Sequence, residues 1–201
     1  MMRMILACAL ALATGACAVV GSETPLFSAA DARGQPVLRA GVWAMPVEEC
    51  SFQPTGDPAR WPSCANATLV SREAFTELRS EAGARPDRMR YVLAAGDPRI
   101  LQVQAPNGET DPAYVYAGLR PLRTDAKGRI TEARVWMALC EQPRKGDGLS
   151  GPLPPGLTRR EGAKSCSATD QQAARDAVLR TEGWLEDADM AVVARWLRDV
   201  P

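Results

Sequence analysis

The chain has six cysteines and no histidine, and this pair of facts bounds its chemistry. Without imidazole there is no Ser-His-Asp or Cys-His activation of a nucleophile near neutral pH. Imidazole metal ligands and the ordinary pH switch are missing too. Carboxylate chemistry, thiol chemistry and binding remain. Residues 48–65, EECSFQPTGDPARWPSCA, gather three acids, Glu48, Glu49 and Asp57, between and beside two cysteines, Cys50 and Cys64. A carboxylate pair could serve a hydrolase, but only where burial or a close partner separates the two pKa values. Acids adjacent in sequence, such as Glu48 and Glu49, usually point apart or into solvent. There is no Cys-x-x-Cys, so the thiols do not read as a metal site, and no metal or other cofactor is expected.

The N-terminus says where those thiols work. MMRMILACALALATGACAVVGSE has a basic residue, Arg3, then an apolar run of about Ile5 to Ala13, then small residues. This is the three-part layout of a secretory signal peptide, and the run is too short to span a bilayer. Thr14-Gly15-Ala16-Cys17 resembles the lipobox of bacterial lipoproteins, with Thr14 where Leu is common. The resemblance covers the first 17 residues. It implies a signal peptide at 1–16, lipidation of Cys17, a tether over 17–25 and one globular domain over 26–201. It also implies attachment to the membrane through the lipid. Ala18, rather than Asp, follows the cysteine, which points to the outer membrane facing the periplasm. A second reading stays open: Ala16-Cys17-Ala18 also fits ordinary signal peptidase, which would cleave after Ala18 and leave a soluble periplasmic or secreted protein. The family of envelope lipoproteins suggested here has no characterised function attached to it.

In an exported chain an even set of thiols reads as disulfides. Cys8 leaves with the signal peptide, and Cys17 is lipidated or removed. Cys50, Cys64, Cys140 and Cys166 remain, with three possible pairings. The nearest-neighbour one, Cys50–Cys64 and Cys140–Cys166, closes loops rich in Pro and Gly, each bridge contributing about 3 kcal/mol.

Other candidate motifs are weaker. Gly156…Gly162-Ala163-Lys164-Ser165 fails the phosphate-loop spacing, because five residues separate the glycines and Ala163 precedes the lysine. Asn66-Ala67-Thr68 matches a glycosylation sequon, but the signal segment looks bacterial. Arg85, Arg88 and Arg90, and Arg159-Arg160, read as solvated surface. Lys+Arg and Asp+Glu are both 24, so no net field attracts nucleic acid. Tyr114, Tyr116 and Trp136 alternate with Val115 and Val135. If exposed, they would form an aromatic patch for a glycan or an envelope protein; if covered, they are second-face packing, the favoured reading. Gly41-Val42-Trp43 resembles the Gly-x-Trp that opens a lipocalin barrel, which implies an eight-stranded ligand-binding fold.

The elements that must position these residues are mostly strands. Val37–Trp43 and Thr68–Val70 read as strands. Residues 71–82 read either as a short helix capped by Ser71 or as another strand. Arg90–Ala94 with Ile100–Gln104, and Ala113–Leu122 with Arg129–Leu139, read as hairpins about AGDPR and TDAKG. Within them Leu101 and Val103 share a face, as do Ala133, Val135 and Met137. Two C-terminal helices are expected, from Ser167 or Thr169 to about Thr181, and from Glu186 to Arg198 with Met190, Val193, Ala194 and Leu197 aligned. The sum is an α+β domain: five or six antiparallel strands, or a partial barrel, covered by two helices and stapled by disulfides. The leading functional reading is a non-catalytic, lipid-anchored envelope protein. A small-ligand binder is the alternative, to be decided by whether the core is hollow, and a carboxylate hydrolase is the third.

Overall fold

The computed structural model describes residues 18–78, 86–105, 112–142, 152–159, 165–185 and 191–200. The fold is mostly β and not an even α+β mixture. Its strands are β1 (Val20–Ser22), β2 (Gly41–Ala44), β3 (Thr68–Val70), β4 (Ala74–Glu77), β5 (Arg88–Ala94), β6 (Arg99–Gln104), β7 (Tyr114–Thr124), β8 (Ile130–Met137), β9 (Leu157–Arg159), β10 (Cys166–Ala168) and β11 (Ala191–Arg198). One helix, α1 (Gln171–Trp184), precedes β11. Each of β2 to β8 pairs antiparallel with its sequence neighbour, β6 and β7 included. β11 then pairs antiparallel with both β8 and β2. The result is a closed, eight-stranded meander barrel. β1, β10 and β9 extend the sheet outside it from β7.

The two expected hairpins form, and the ambiguous 71–82 segment contributes a strand, β4, rather than a helix. Ser71 instead closes a turn, its hydroxyl donating to the Ala74 carbonyl and accepting from the Ala74 N–H. The second expected helix is wrong over its described part, Ala191–Arg198, which is β11. Val193, Ala194 and Leu197 fit a helical spacing, but the paired valines of AVVARWLR suit a strand. The open edges of β2 and β8 supply ladder partners on both sides, which local propensity does not offset. The first expected helix runs past Thr181, with Gly183 inside α1. Val20–Ser22, within the expected tether, form β1. Val20 is fully buried, which a free tether would not allow.

The closing seam is built from two indoles and a glycine. Trp43 Nε1 donates to the Arg39 carbonyl at 2.7 Å, and Trp196 Nε1 to the Ala40 carbonyl at 3.1 Å. The Arg39 guanidinium lies 3.4 Å from the centre of the Trp196 ring and pairs with Asp199 at 2.9 Å. Gly41 has φ 136°, and a Cβ there would stand 2.3 Å from the Arg198 carbonyl, so only glycine fits. Residues 37–39 cross beside Ile130 at this end, through Arg39 N–H to the Ile130 carbonyl and Ile130 N–H to the Val37 carbonyl.

α1 packs on the outer wall. Asp170 caps it by accepting from the Ala173 N–H at 2.8 Å. Its small face, Ala173, Ala174, Ala177 and Val178, buries Tyr116, Trp136 and Ile100. Trp136 Nε1 donates to the Val178 carbonyl, and Arg120 ties Glu182 of the helix to Asp97. Both expected disulfides are made. Cys50–Cys64 holds the proline-rich loop, whose Phe52 and Trp61 pack with Val42 and Leu197 on the barrel exterior. Cys140–Cys166 joins the end of β8 to β10.

Gly118 is what lets Trp136 lie flat. The two are register partners on β7 and β8, and a Cβ on Gly118 would meet the Trp136 ring at 2.2 Å. Gly118→Ala should therefore lower unfolding free energy by about 1–3 kcal/mol, measured by urea denaturation.

Candidate functional site: an apolar cavity in the barrel

The strand period divides every barrel residue into inward and outward sets. Inward stand Trp43, Val70, Phe75, Tyr91, Leu93, Leu101, Val103, Ala117, Leu119, Ala133, Val135, Met137 and Ala194. Burial changes along the barrel axis. Toward the seam end Leu93, Leu101, Ala117, Leu119, Ala133 and Ala194 are buried. Toward the other end, on the same strands, Met89, Val103, Val115, Val135, Met137 and Val192 are only half-buried. The seam end is thus the more deeply buried, and its Trp43, Leu101, Leu119 and Ala194 floor a cavity of about 270 Å³ that reaches Met89, Val103, Val135 and Met137 at the other.

Its wall is aliphatic, aromatic and thioether. Met45, Met89 and Met137 contribute three adaptable side chains. Phe75 and Tyr91 stack with ring centres 4.3 Å apart. The Tyr91 ring backs Phe75 and does not line the cavity; its hydroxyl donates to the Ser71 carbonyl at 2.9 Å, and burial pushes its pKa up to about 12.

Three polar side chains interrupt the wall: Asn66, Thr68 and Glu77. Thr68 and Glu77 are directly opposed on β3 and β4, so their side chains stand side by side on one face. The Thr68 hydroxyl donates to the Thr76 carbonyl, and the Asn66 amide to the Met45 carbonyl. Burial, and after it the charge of Asp87, raises the Glu77 carboxyl above its ordinary 4.5.

The candidates read from the sequence fall elsewhere. Tyr116 and Trp136 are fully buried beneath α1, so the exposed aromatic patch does not exist and the packing alternative is the one observed. The Tyr116 hydroxyl is spent on Ser22 at 2.5 Å. Tyr114 is half-buried beside a shallow outer groove of about 320 Å³. Gln102 lines that groove, but its amide is consumed by the backbone of Leu26 and Phe27. Glu48, Glu49 and Asp57 are exposed and line neither space. Asp57 caps a 3-10 turn by accepting from the Ala59 N–H. Cys17, Arg85, Arg160 and residues 162–164 lie outside the described residues. Among the described residues no cluster of three or more acidic or thiol side chains could hold a metal ion, and no helix is long and apolar enough to cross a membrane.

Sequence reasoning had Leu101, Val103, Val135 and Met137 on the right faces, yet missed that they enclose space. Met45, Asn66, Thr68, Glu77 and Met89 went unnoticed as a group. Their period-two signal is spread over strands too short to stand out.

The fold and the cavity define a class: a small, disulfide-bridged β-barrel with one packed end and an apolar interior. No protein-family model, curated protein or solved structure matches the chain.

The raised pKa of Glu77 has a consequence for stability. An unfolded Glu loses its proton near 4.5, and the folded one at higher pH. The contribution of this group is therefore most favourable below about pH 4 and is lost as pH rises through the folded value. Glu77→Gln should raise the thermal midpoint at pH 7 and leave it nearly unchanged at about pH 3.5, followed by circular dichroism.

Proposed function

We infer that this chain is an exported binding protein whose barrel takes up a small apolar ligand. The observation that carries the reading is the cavity itself, about 270 Å³ and walled almost wholly by hydrocarbon and thioether. Burying apolar ligand surface there supplies the affinity, at about 25 cal/mol per Å². An apolar cavity of about 150 Å³ holds benzene, so this one takes a ligand of about ten non-hydrogen atoms. The packed end, latched by Trp43 and Trp196, keeps the wall rigid so that little ordering is needed on binding. The Gly41-Val42-Trp43 motif at the closed end and the eight-stranded closure support a lipocalin-like role, and make ligand binding the better reading than a purely structural one.

The same reading places the barrel in the cell envelope, tethered by lipid at Cys17. Two disulfides suit an oxidising compartment. Ala18 is buried, and its carbonyl accepts from the Cys140 N–H at 2.9 Å. Cleavage after Ala18 would delete that contact, whereas cleavage before Cys17 keeps it. With β1 beginning at Val20, the lipid would hold the barrel close against the membrane. A partner from the envelope is not needed for this role.

Two experiments test the reading. Calorimetric titration with n-octanol should give saturable binding with a dissociation constant below about 1 mM. Val135→Phe, which fills the cavity from its wall, should weaken it at least about tenfold while the circular dichroism spectrum is kept. Absence of octanol binding to the wild-type protein would end the ligand-binding account. Separately, Cys17→Ser should move the protein from the membrane fraction to the soluble fraction of expressing cells; retention in the membrane would end the lipid-anchor account.

A further inference from the structure

The polar part of the cavity wall is one-sided in chemistry as well as in position. Asn66, Thr68 and Glu77 sit together on the β3–β4 side, and the rest of the lining is apolar. The hydroxyl proton of Thr68 is committed to the Thr76 carbonyl at 3.0 Å. An N–H of Asn66 is committed to the Met45 carbonyl at 3.1 Å. Each side chain keeps an acceptor oxygen with spare capacity. Glu77 is all acceptor when ionised, and its carboxylate has no hydrogen-bond or ion-pair partner among the described residues. Among the described residues no Lys or Arg lines the cavity. Arg88 and Arg90 alternate onto the outer face of β5, where both are exposed.

Resting on the ligand-binding reading above, we propose that Glu77, Thr68 and Asn66 form a cation subsite, so that the barrel selects an apolar primary amine, with its ammonium on Glu77 and its hydrocarbon tail among Met89, Val103, Val135 and Met137. An ammonium brings three N–H donors and no acceptor, which is the complement of three acceptors in one patch. A carboxylate headgroup would meet Glu77 with like charge and find no cation in the wall. An alcohol would satisfy one acceptor and leave the glutamate charge unpaired. The site carries its selectivity in one residue, because hydrogen bonds to a charged group are about twice as strong as neutral ones, and this one forms in a partly desolvated space. Asp87 stands beside Glu77, its carbonyl accepting from the Glu77 N–H at 3.1 Å. Its charge adds to the negative potential that an ammonium would meet on entry.

The test compares three eight-carbon probes of equal length on the full mature protein at about 150 mM salt: n-octylamine, n-octanol and n-octanoate. Calorimetry is expected to rank the amine at least about tenfold tighter than the alcohol, with the carboxylate weaker than either. Glu77→Gln should bring the amine to the level of the alcohol, and a circular dichroism spectrum that matches the wild type shows that the variant is folded. Thr68→Val should weaken the amine several-fold and the alcohol less. If the alcohol binds as tightly as the amine, or if Glu77→Gln leaves amine binding unaltered, the cation subsite is wrong while the apolar cavity stands. If octanoate binds best, the headgroup assignment is reversed and the proposal falls. If none of the three binds, the failure belongs to the ligand-binding reading beneath it.

Discussion

The pairing of β11 with β2 is the constraint on which the rest of the molecule depends. Seven strands in meander would leave two bare edges and an apolar face with nothing to cover it. β11 supplies both missing ladders at once, to β8 on one side and to β2 on the other. The cost of closing so long a loop, from Met137 to Ala191, is met by local pinning at the seam. Trp196 and Trp43 each donate to the backbone of residues 39–40, and Arg39 lies over the Trp196 ring. Only a glycine at 41 lets the two chains approach there.

Closure creates an interior, and the sizes of inward side chains decide how full it is. Trp43, Leu38, Leu93, Leu119 and Ile130 crowd the seam end. Val, Met, Thr and Ala follow toward the other end and leave the cavity. Two further large aromatic groups are placed elsewhere. Tyr116 and Trp136 point outward, where they form the second core beneath α1. The barrel is therefore stabilised from outside, by a helix and by the loop clasped through Cys50–Cys64, and its inside is free to hold a ligand. On the proposed reading that division separates folding from binding: a residue such as Glu77, whose charge is partly buried, is tolerated because the outer packing carries the stability.

Much of this was legible in the sequence, for definable reasons. The alternation in ILQVQ and ARVWM assigned faces correctly, since strand geometry has no other way to place those residues. The pairing of the four cysteines followed from loop composition and short spacing. The barrel was legible only as an alternative, through Gly41-Val42-Trp43, and its eight strands were not. β3, β4 and β2 are three or four residues long, too short for a periodic signal, and their strand character comes from neighbours already in register. β11 carries a helical spacing beside β-branched valines, and the choice between the two is made by two waiting edges far away in sequence. The cavity was harder still. Hollowness depends on summed volumes across eight strands, and Asn66, Thr68 and Glu77 become one site only because β3 and β4 turn back on each other.

The central claim is that the barrel is hollow and takes an apolar guest. Methyl-labelled methionine spectra recorded during titration with n-octanol test it most directly. Met45, Met89 and Met137 line the cavity from three different parts of the chain. The account predicts that all three methyl resonances shift together along one saturable curve that gives a single dissociation constant below about 1 mM. Resonances that stay fixed, or that drift without saturation, would contradict it.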